Sequence, residues 1–136
     1  MKEDSRTEIG VKGETTASNY LINRNYRSIH RNFHISRIGE IDIIAEKRTG
    51  IWPFVKKALV FVEVKTLVIS GKNSYNPELR VNSEKQKRLI RLAMLYLSRN
   101  RLKMDTDWQI DVIAVEIDSF TGNIKEIRHH ENAVHL

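Results

Sequence analysis

Several short runs of this chain are rich in apolar residues, and in places polar residues alternate with them, which predicts β-strands. The two clearest runs are residues 40–45 and 59–67, and weaker ones cover residues 26–35, 108–117 and 124–130. Because side chains two positions apart point to the same face of a strand, each run has one face suited to a core. The pattern therefore predicts a sheet of five strands.

Two other segments have the spacing of amphipathic helices, residues 13–24 and residues 84–100. In the second, the positions predicted to face inward are Leu89, Leu92, Ala93, Tyr96 and Leu97. The order of helix, three strands, helix and two strands predicts an α/β fold, with a central mixed β-sheet flanked by helices. We expect residues 1–136 to form a single domain, with residues 1–8 as a flexible tail.

Two connections are long enough to contribute more than a turn. Residues 46–58 include Gly50 and Pro53 and predict a loop or an extension of a hairpin. The side chains that this connection offers are Trp52, Phe54, Lys56 and Lys57. They indicate either a tongue that contacts a substrate or a packed hairpin tip. Residues 68–81 are polar and predict a loop over one end of the sheet.

Acidic side chains interrupt the two clearest strands. Glu40 and Asp42 should share one strand face, as should Glu63 and Lys65. If these strands are neighbours, three carboxylates and an ammonium converge on one sheet face, where none is easily buried alone. A divalent cation such as Mg²⁺ would stabilise that arrangement. The alternative is a pair of amphipathic strands whose polar faces meet solvent and form weak surface ion pairs.

The formal net charge of +6 is concentrated in two parts of the chain. Residues 80–103 hold many lysines and arginines and a single acid, Glu84, while residues 24–37 hold arginines and histidines and no acid. Such segments attract polyanions regardless of base sequence, so nucleic acid is the expected partner. A solvated basic helix face is the alternative interpretation.

Chain length and amino-acid composition limit the kinds of functional site and the cellular compartment that we expect for this protein. The chain has 136 residues, which suits one domain with its own core, and no cysteine. The absence of cysteine excludes disulfides, zinc thiolate sites and thiol nucleophiles, and it agrees with a cytoplasmic protein. The first residues lack an apolar signal core, and no apolar run is long enough to span a bilayer, so no membrane partner is expected.

Several short motifs recur in a characteristic order along the chain. They are Gly13-Glu14, Ala17, Tyr20-Leu21, Gly39-Glu40-Ile41-Asp42, Phe61-Val62-Glu63-Val64-Lys65, Lys85-Gln86 and Asp111-Val112. In these motifs the chain, from about residue 9 to residue 134, resembles the YraN family of small bacterial proteins. That family is related to restriction-endonuclease-like nucleases with an Asp and Glu-x-Lys site, and it is similar to archaeal Holliday-junction resolvases. The resemblance implies a restriction-endonuclease-like core.

The same resemblance implies roles for individual residues. Asp42 and Glu63 would be metal ligands for Mg²⁺ or Mn²⁺, with the carbonyl of Val64 as a third ligand. Lys65 would be the catalytic lysine, and Glu14 would be an additional catalytic acid carried by a helix. The function implied is a metal-dependent nuclease acting on DNA, with branched or structured DNA as the substrate suggested by the resolvases. They also suggest a homodimer.

Two other functions remain open at this point: a nucleic-acid-binding module without catalysis, and a protein-interaction adaptor with a basic face. The residues predicted to contact nucleic acid are Lys85, Gln86, Arg88, Arg91 and Arg99. Lys85 continues the apolar stripe of its helix, so it should point toward the sheet. Gln86 follows Ser83 by three residues, so a capping box is the alternative explanation for it.

Three residues near the end of the chain are ambiguous. His129 and His130 are adjacent in a strand, so their side chains point to opposite faces and a surface role is expected. Asp111 is interpreted either as a group that supports the metal site or as a strand-end acid. The family usually has an arginine where this chain has Gln109.

Overall fold

The computed structural model of the chain describes residues 2–70, 82–102 and 106–135. In chain order, the elements are α1 (Lys2–Asn23), β1 (Arg27–Ile35), β2 (Gly39–Thr49), β3 (Lys56–Ile69), α2 (Ser83–Arg99), β4 (Asp107–Asp118) and β5 (Ile124–Val134). Within these ranges neither helix combines the length and the apolar character needed to cross a membrane.

The strands form one mixed sheet in the order β1-β2-β3-β4-β5. Neighbouring strands are antiparallel except for β3 and β4, which pair in parallel. Parallel neighbours need a long crossover, and α2 lies in the connection between them. The predicted α/β fold is confirmed, and the five-stranded sheet flanked by two helices is consistent with a restriction-endonuclease-like core.

The core has two apolar layers, one on each face of the sheet. The layer under α1 consists mainly of Ala17, Leu21, Ile43, Ala45, Val60, Val62, Ile113 and Val115. The layer under α2 includes Ile44, Leu59, Phe61, Leu89, Leu92, Ala93, Tyr96 and Ile110. Successive strand residues alternate between these layers, so both faces of the central strands are covered. This explains why β3 is an almost unbroken apolar run.

Two predicted boundaries differ from the structure. The predicted extension of a hairpin is confirmed for residues 46–58, where the ladder continues to the pair formed by Thr49 and Lys56, so the connection between β2 and β3 is shorter than that range. Helix α1 begins at Lys2, so residues 2–8 are helical, whereas the predicted helix began at Gly13. No proline occurs before Gly13, so none interrupts the helix between Lys2 and Gly13. The loop predicted over the sheet end falls mainly on residues 71–81, outside the described residues.

Helix α2 is capped by a residue that the sequence analysis did not select. The side chain of Asn82 accepts a hydrogen bond from the backbone N–H of Lys85 at 2.8 Å. This contact satisfies one of the unpaired N–H groups of the first turn. The capping box predicted for Ser83 and Gln86 is therefore wrong, since the helix begins at Ser83, one residue earlier than that motif requires.

Candidate active site

The acids of β2 and β3 lie where these two strands separate. Their paired register ends with Ile43 and Val62, one step before Asp42 and Glu63. Beyond that pair, a carboxylate oxygen of Asp42 accepts a hydrogen bond from the backbone N–H of Val64 at 2.7 Å. The Asp42 side chain thus takes a place that a backbone carbonyl would occupy in a continuing ladder. This contact fixes Asp42 between the two strands.

Two further carboxylates gather around Asp42. Glu14 from α1, Glu40 and Asp42 each bring a carboxylate oxygen to within 4.8 Å of the others. Gly13 allows this approach, because a Cβ at this position would overlap the side chain of Thr66 on β3. The helix backbone therefore lies directly against the strand at the residue before Glu14. Glu40 belongs to the cluster, as the strand pattern predicts, although it was not among the predicted metal ligands or catalytic residues.

Two side chains of β1 contact these carboxylates, one as an ion pair and one as a hydrogen-bond donor. Arg31 places a guanidinium nitrogen 3.8 Å from Glu14. Asn32 has a positive φ of 55°. With its amide oriented to suit these neighbours, Asn32 donates to Glu40 at 3.2 Å and to Glu14 at 3.1 Å. Sequence reasoning missed Asn32, since the available signal was only that asparagine tolerates positive φ better than most residues.

Glu63 is approached from the opposite face of the sheet. Its side chain is only 9% exposed, and the ammonium of Lys85 lies 2.5 Å from one of its oxygens. Lys85 therefore points toward the sheet, as its helical position predicts. Lys65 lies two residues after Glu63 in β3, yet it makes no ion pair with any residue that the structure describes. The expectation that all these groups share one sheet face is wrong, because α1 and α2 reach the acids from different sides.

Burial and mutual repulsion change the acidity of this cluster. The pKa of Asp42 is raised from 3.8 to about 7, first by burial and then by the neighbouring charge of Glu63. The hydrogen bond from Val64 opposes that rise. Burial also raises the pKa of Glu14, with a smaller contribution from Glu40. These shifts mark an excess of negative charge, which a divalent cation would relieve. The donors are oxygen atoms, the type that Mg²⁺ and Mn²⁺ prefer.

A group of basic side chains, here called the basic patch, lies at the turn that leads into β2. A shallow depression there is lined by Arg37, Ile38, Lys87, Arg88 and Arg91. Gly39 has a φ of 146°, and a Cβ on it would lie 3.0 Å from Cδ of Arg88. The turn is therefore in close contact with α2, and the basic patch adjoins the strand that carries Glu40 and Asp42.

The other residues predicted to contact nucleic acid have different surroundings. Arg99 is exposed in the last turn of α2, far along the helix from Arg88. Gln86 is half-buried near the start of the same helix. The helix therefore presents exposed basic side chains at both of its ends, while Lys85 points inward toward the sheet.

Asp111 belongs to a separate buried cluster. It is fully buried and pairs with Nε2 of His129 at 2.7 Å. It also accepts hydrogen bonds of 2.8 Å from the Gln109 side chain and from the backbone N–H of Asn132. The surface role predicted for His129 is wrong, because its side chain is 8% exposed and packs edge-on against Tyr20. An irregularity in β5 opposite Asp111 turns the strand around this acid.

Glu131 completes that cluster at its solvent side. Its carboxylate accepts hydrogen bonds from Lys47 at 2.9 Å and from the hydroxyl of Tyr26 at 3.1 Å. The bond from Lys47 is the main reason that the pKa of Glu131 is lowered. Although Asp111, His129 and Glu131 have metal-ligand chemistry and lie close together, each is engaged by protein groups. We assign this cluster a structural role.

The tip of the β2–β3 hairpin is exposed. Ile51, Trp52 and Phe54 are 84%, 83% and 82% exposed. The alternative of a packed tip is therefore wrong, and the connection projects its aromatic side chains into solvent.

Comparison with known proteins identifies relatives over almost the whole chain. A model of "Uncharacterised protein family UPF0102" matches residues 13–115, which include Glu14, Glu40, Asp42 and Glu63. A UPF0102 protein from Trichlorobacter lovleyi is 39% identical over 129 residues, covering 94% of this chain and 91% of the relative. One from Geobacter metallireducens is 39% identical over 128 residues, covering 94% and 93%. One from Thermodesulfovibrio yellowstonii is 39% identical over 129 residues, covering 95% and 97%.

Proposed function

The chain belongs to the uncharacterised protein family UPF0102, the YraN family, and we propose that it is a metal-dependent nuclease that hydrolyses phosphodiester bonds in DNA. The observation that carries this proposal is the gathering of Glu14, Glu40, Asp42 and Glu63 at one end of the sheet, beside the basic patch. Clustered acids of like charge are costly without a cation where they are partly buried, as Glu14 and Asp42 are, or buried, as Glu63 is. A basic surface next to them suits a phosphate backbone.

Asp42 is the central metal ligand in this proposal. Glu14, Glu40 and Glu63 surround it, and the Val64 carbonyl follows Glu63 in β3. When bound, Mg²⁺ or Mn²⁺ would lower the pKa of a coordinated water and offset the charge of the scissile phosphate. Asn32 holds Glu14 and Glu40 in place in this proposal, since its amide donates a hydrogen bond to each.

The two lysines near Glu63 have different roles in this mechanism. Lys65 stabilises charge that develops on the phosphate during hydrolysis, as the Glu-x-Lys arrangement suggests. Lys85 holds the Glu63 carboxylate in position through their ion pair. The basic patch, together with Gln86 and Arg99, would bind the DNA backbone and supply affinity without sequence preference. A homodimer and a cytoplasmic location stay predictions.

The proposal is tested by incubating the protein with linear, flapped, branched and single-stranded nucleic acids, in the presence of Mg²⁺, Mn²⁺ or EDTA. We expect cleavage that requires a metal, is lost in Asp42→Asn and Glu63→Gln, and falls about 10²-fold or more in Lys65→Ala with little change in affinity. Cleavage should also fall in Glu14→Gln, for which Glu8→Gln, which removes an exposed acid of α1, is the matched control.

Cleavage that survives in EDTA or in Asp42→Asn would contradict the proposed metal site. Salt-sensitive binding without cleavage of any substrate would instead identify a non-catalytic nucleic-acid-binding module. Absence of both activities would leave the adaptor function.

A further inference from the structure

The β2–β3 hairpin ends in a group of apolar side chains that contribute nothing to the core. Ile51, Trp52 and Phe54 are each more than four-fifths exposed, and Val55 is 41% exposed. Soluble proteins rarely display several large apolar side chains together unless they contact a partner. These four residues are called the apolar tip below.

The stem below the apolar tip is basic. Arg48, Lys56 and Lys57 are all exposed on the two strands of the hairpin. Arg48 forms an ion pair with Glu46 at 2.9 Å, whereas neither lysine has an ion pair within residues 2–70, 82–102 and 106–135. Aromatic side chains beside unneutralised lysines match the chemistry of a nucleic-acid strand, which offers flat bases and negative phosphates.

The hairpin also lies in line with the acidic site. Strand β2 carries Asp42 near its start and ends at Thr49, about 23 Å further along at about 3.3 Å per residue. Helix α2 runs beside it in the same direction, since Lys85 contacts Glu63 near one end and Asn100 borders a groove shared with Lys57 near the other. Arg99 therefore lies toward the hairpin stem, whereas Arg88 and Arg91 lie beside the turn before β2, near the acids.

We propose that the apolar tip binds unpaired bases by stacking them on Trp52 and Phe54. This inference rests on the proposed function where it names the substrate class, which is DNA with a single-stranded segment beside a duplex. Two copies of the chain joined through their tips would bring the like charges of Lys56 and Lys57 together, which disfavours self-association. Exposed arginines at both ends of α2, near the stem and near the acids, favour nucleic acid over an anionic membrane surface.

Trp52 itself provides a direct measurement. The only other tryptophan in the sequence, Trp108, is half-buried with its ring 5.9 Å from that of Phe61. In a Trp108→Phe background, tryptophan fluorescence therefore reports on the tip alone. We expect a thymidine oligonucleotide to quench this emission in EDTA, and a blunt duplex of equal length to quench it much less.

The DNA affinities of matched variants provide a second test. Trp52→Ala combined with Phe54→Ala should weaken binding to forked DNA about tenfold or more, with little effect on blunt duplex. The slope of log affinity against log salt should not change, because no phosphate contact is removed. Phe120→Ala, which removes an 85% exposed aromatic side chain from the β4–β5 turn, should leave both affinities unchanged.

Three results would overturn the inference. One is equal affinity of wild type and the double variant for every DNA form, without quenching. A second is a response of Trp52 to phosphatidylserine vesicles but not to DNA, which would indicate a membrane surface. A third is a change in emission with protein concentration alone, which would indicate self-association. Because these experiments need no metal, loss of the proposed nuclease activity would not decide them.

Discussion

Asp42 is the residue at which the opposing forces of the site are clearest. Its hydrogen bond from Val64 favours the ionised carboxylate, while burial and the charges of Glu63, Glu14 and Glu40 favour the protonated acid. The second group of effects is larger, so the pKa is raised to about 7. A carboxyl group in this state contributes little to the stability of the fold, and its pKa responds strongly to any cation that binds beside it.

This raised pKa predicts how the stability of the metal-free protein depends on pH. The folded state favours the protonated form of Asp42. The contribution of Asp42 to the free energy of unfolding is therefore complete below about pH 4 and is lost as the pH rises toward 7. Each unit of pKa shift corresponds to about 1.4 kcal/mol, so the free energy of unfolding should change by a few kcal/mol at most. Asp42→Asn keeps a hydrogen-bond acceptor for Val64 without the charge.

Urea unfolding in EDTA at pH 5 and pH 8 measures the effect. The free energy of unfolding of Asp42→Asn relative to wild type should be higher at pH 8 than at pH 5. A constant difference between the two proteins would contradict the raised pKa.

The ion pair between Lys85 and Glu63 predicts non-additive stability changes. Lys85→Ala leaves a carboxylate with a 9% exposed side chain without its partner and should cost about 1–3 kcal/mol. In the double variant Lys85→Ala, Glu63→Gln the buried charge is absent, so the loss should be smaller than the sum of the two single losses. Denaturant unfolding of all four proteins at pH 7 gives this coupling energy. Simple additivity would show that the two groups do not interact in solution.

At the scale of elements, the contact between α1 and β3 decides where Glu14 lies. Gly13→Ala would place a methyl group against the β-branched side chain of Thr66, which has little freedom to move. We expect a loss of about 1–3 kcal/mol in stability and a displaced Glu14. Adding Thr66→Ala should recover part of the loss. Gly10→Ala is the control in thermal unfolding, because a Cβ there meets nothing within 4 Å.

Helix α2 combines a buried apolar face with an exposed basic one, so its charges can be removed without disturbing the core. Arg88→Ala and Arg91→Ala should each lower the slope of log affinity against log salt by about 0.9 if each arginine contacts one phosphate of duplex DNA. Stability should change by no more than about 0.5 kcal/mol per site. Anisotropy titrations at several salt concentrations test this. Unchanged slopes in a folded double variant would mean that the basic patch does not bind DNA.

At the scale of the whole molecule, the acidic site joins elements that are distant in sequence. Glu14 lies in the first helix, Asp42 in the second strand and Glu63 in the third, so a cation bound there would link α1 to the sheet. Binding of any ligand by the folded state alone raises stability according to its concentration and affinity.

Metal binding should therefore stabilise the fold of the wild-type protein. At a Mn²⁺ concentration about 100 times the dissociation constant, the gain is about 2.7 kcal/mol, visible as a higher melting temperature. Asp42→Asn combined with Glu14→Gln should abolish the gain. Ca²⁺ in place of Mn²⁺ tests dependence on the ion, and equal Mn²⁺ stabilisation of wild type and double variant would place the bound metal elsewhere.

The amino-acid sequence by itself determined the elements and the chemical character of this protein. Alternation with a period of two predicted the strands, and the helical spacing of Leu89, Leu92 and Tyr96 predicted the buried face of α2. The inward direction of Lys85 followed from the same spacing. These features depend on side-chain directions within one element, and the local sequence specifies those directions.

Only the tertiary structure decided which groups meet between elements. It brought Glu40 and Asn32 to Glu14, buried His129 against Asp111 and extended the β2–β3 hairpin until its tip was exposed. Each outcome depends on strand register, on a bulge or on the close approach allowed by Gly13. Such contacts join residues far apart in the chain, and their free energies depend on burial that no single segment can specify.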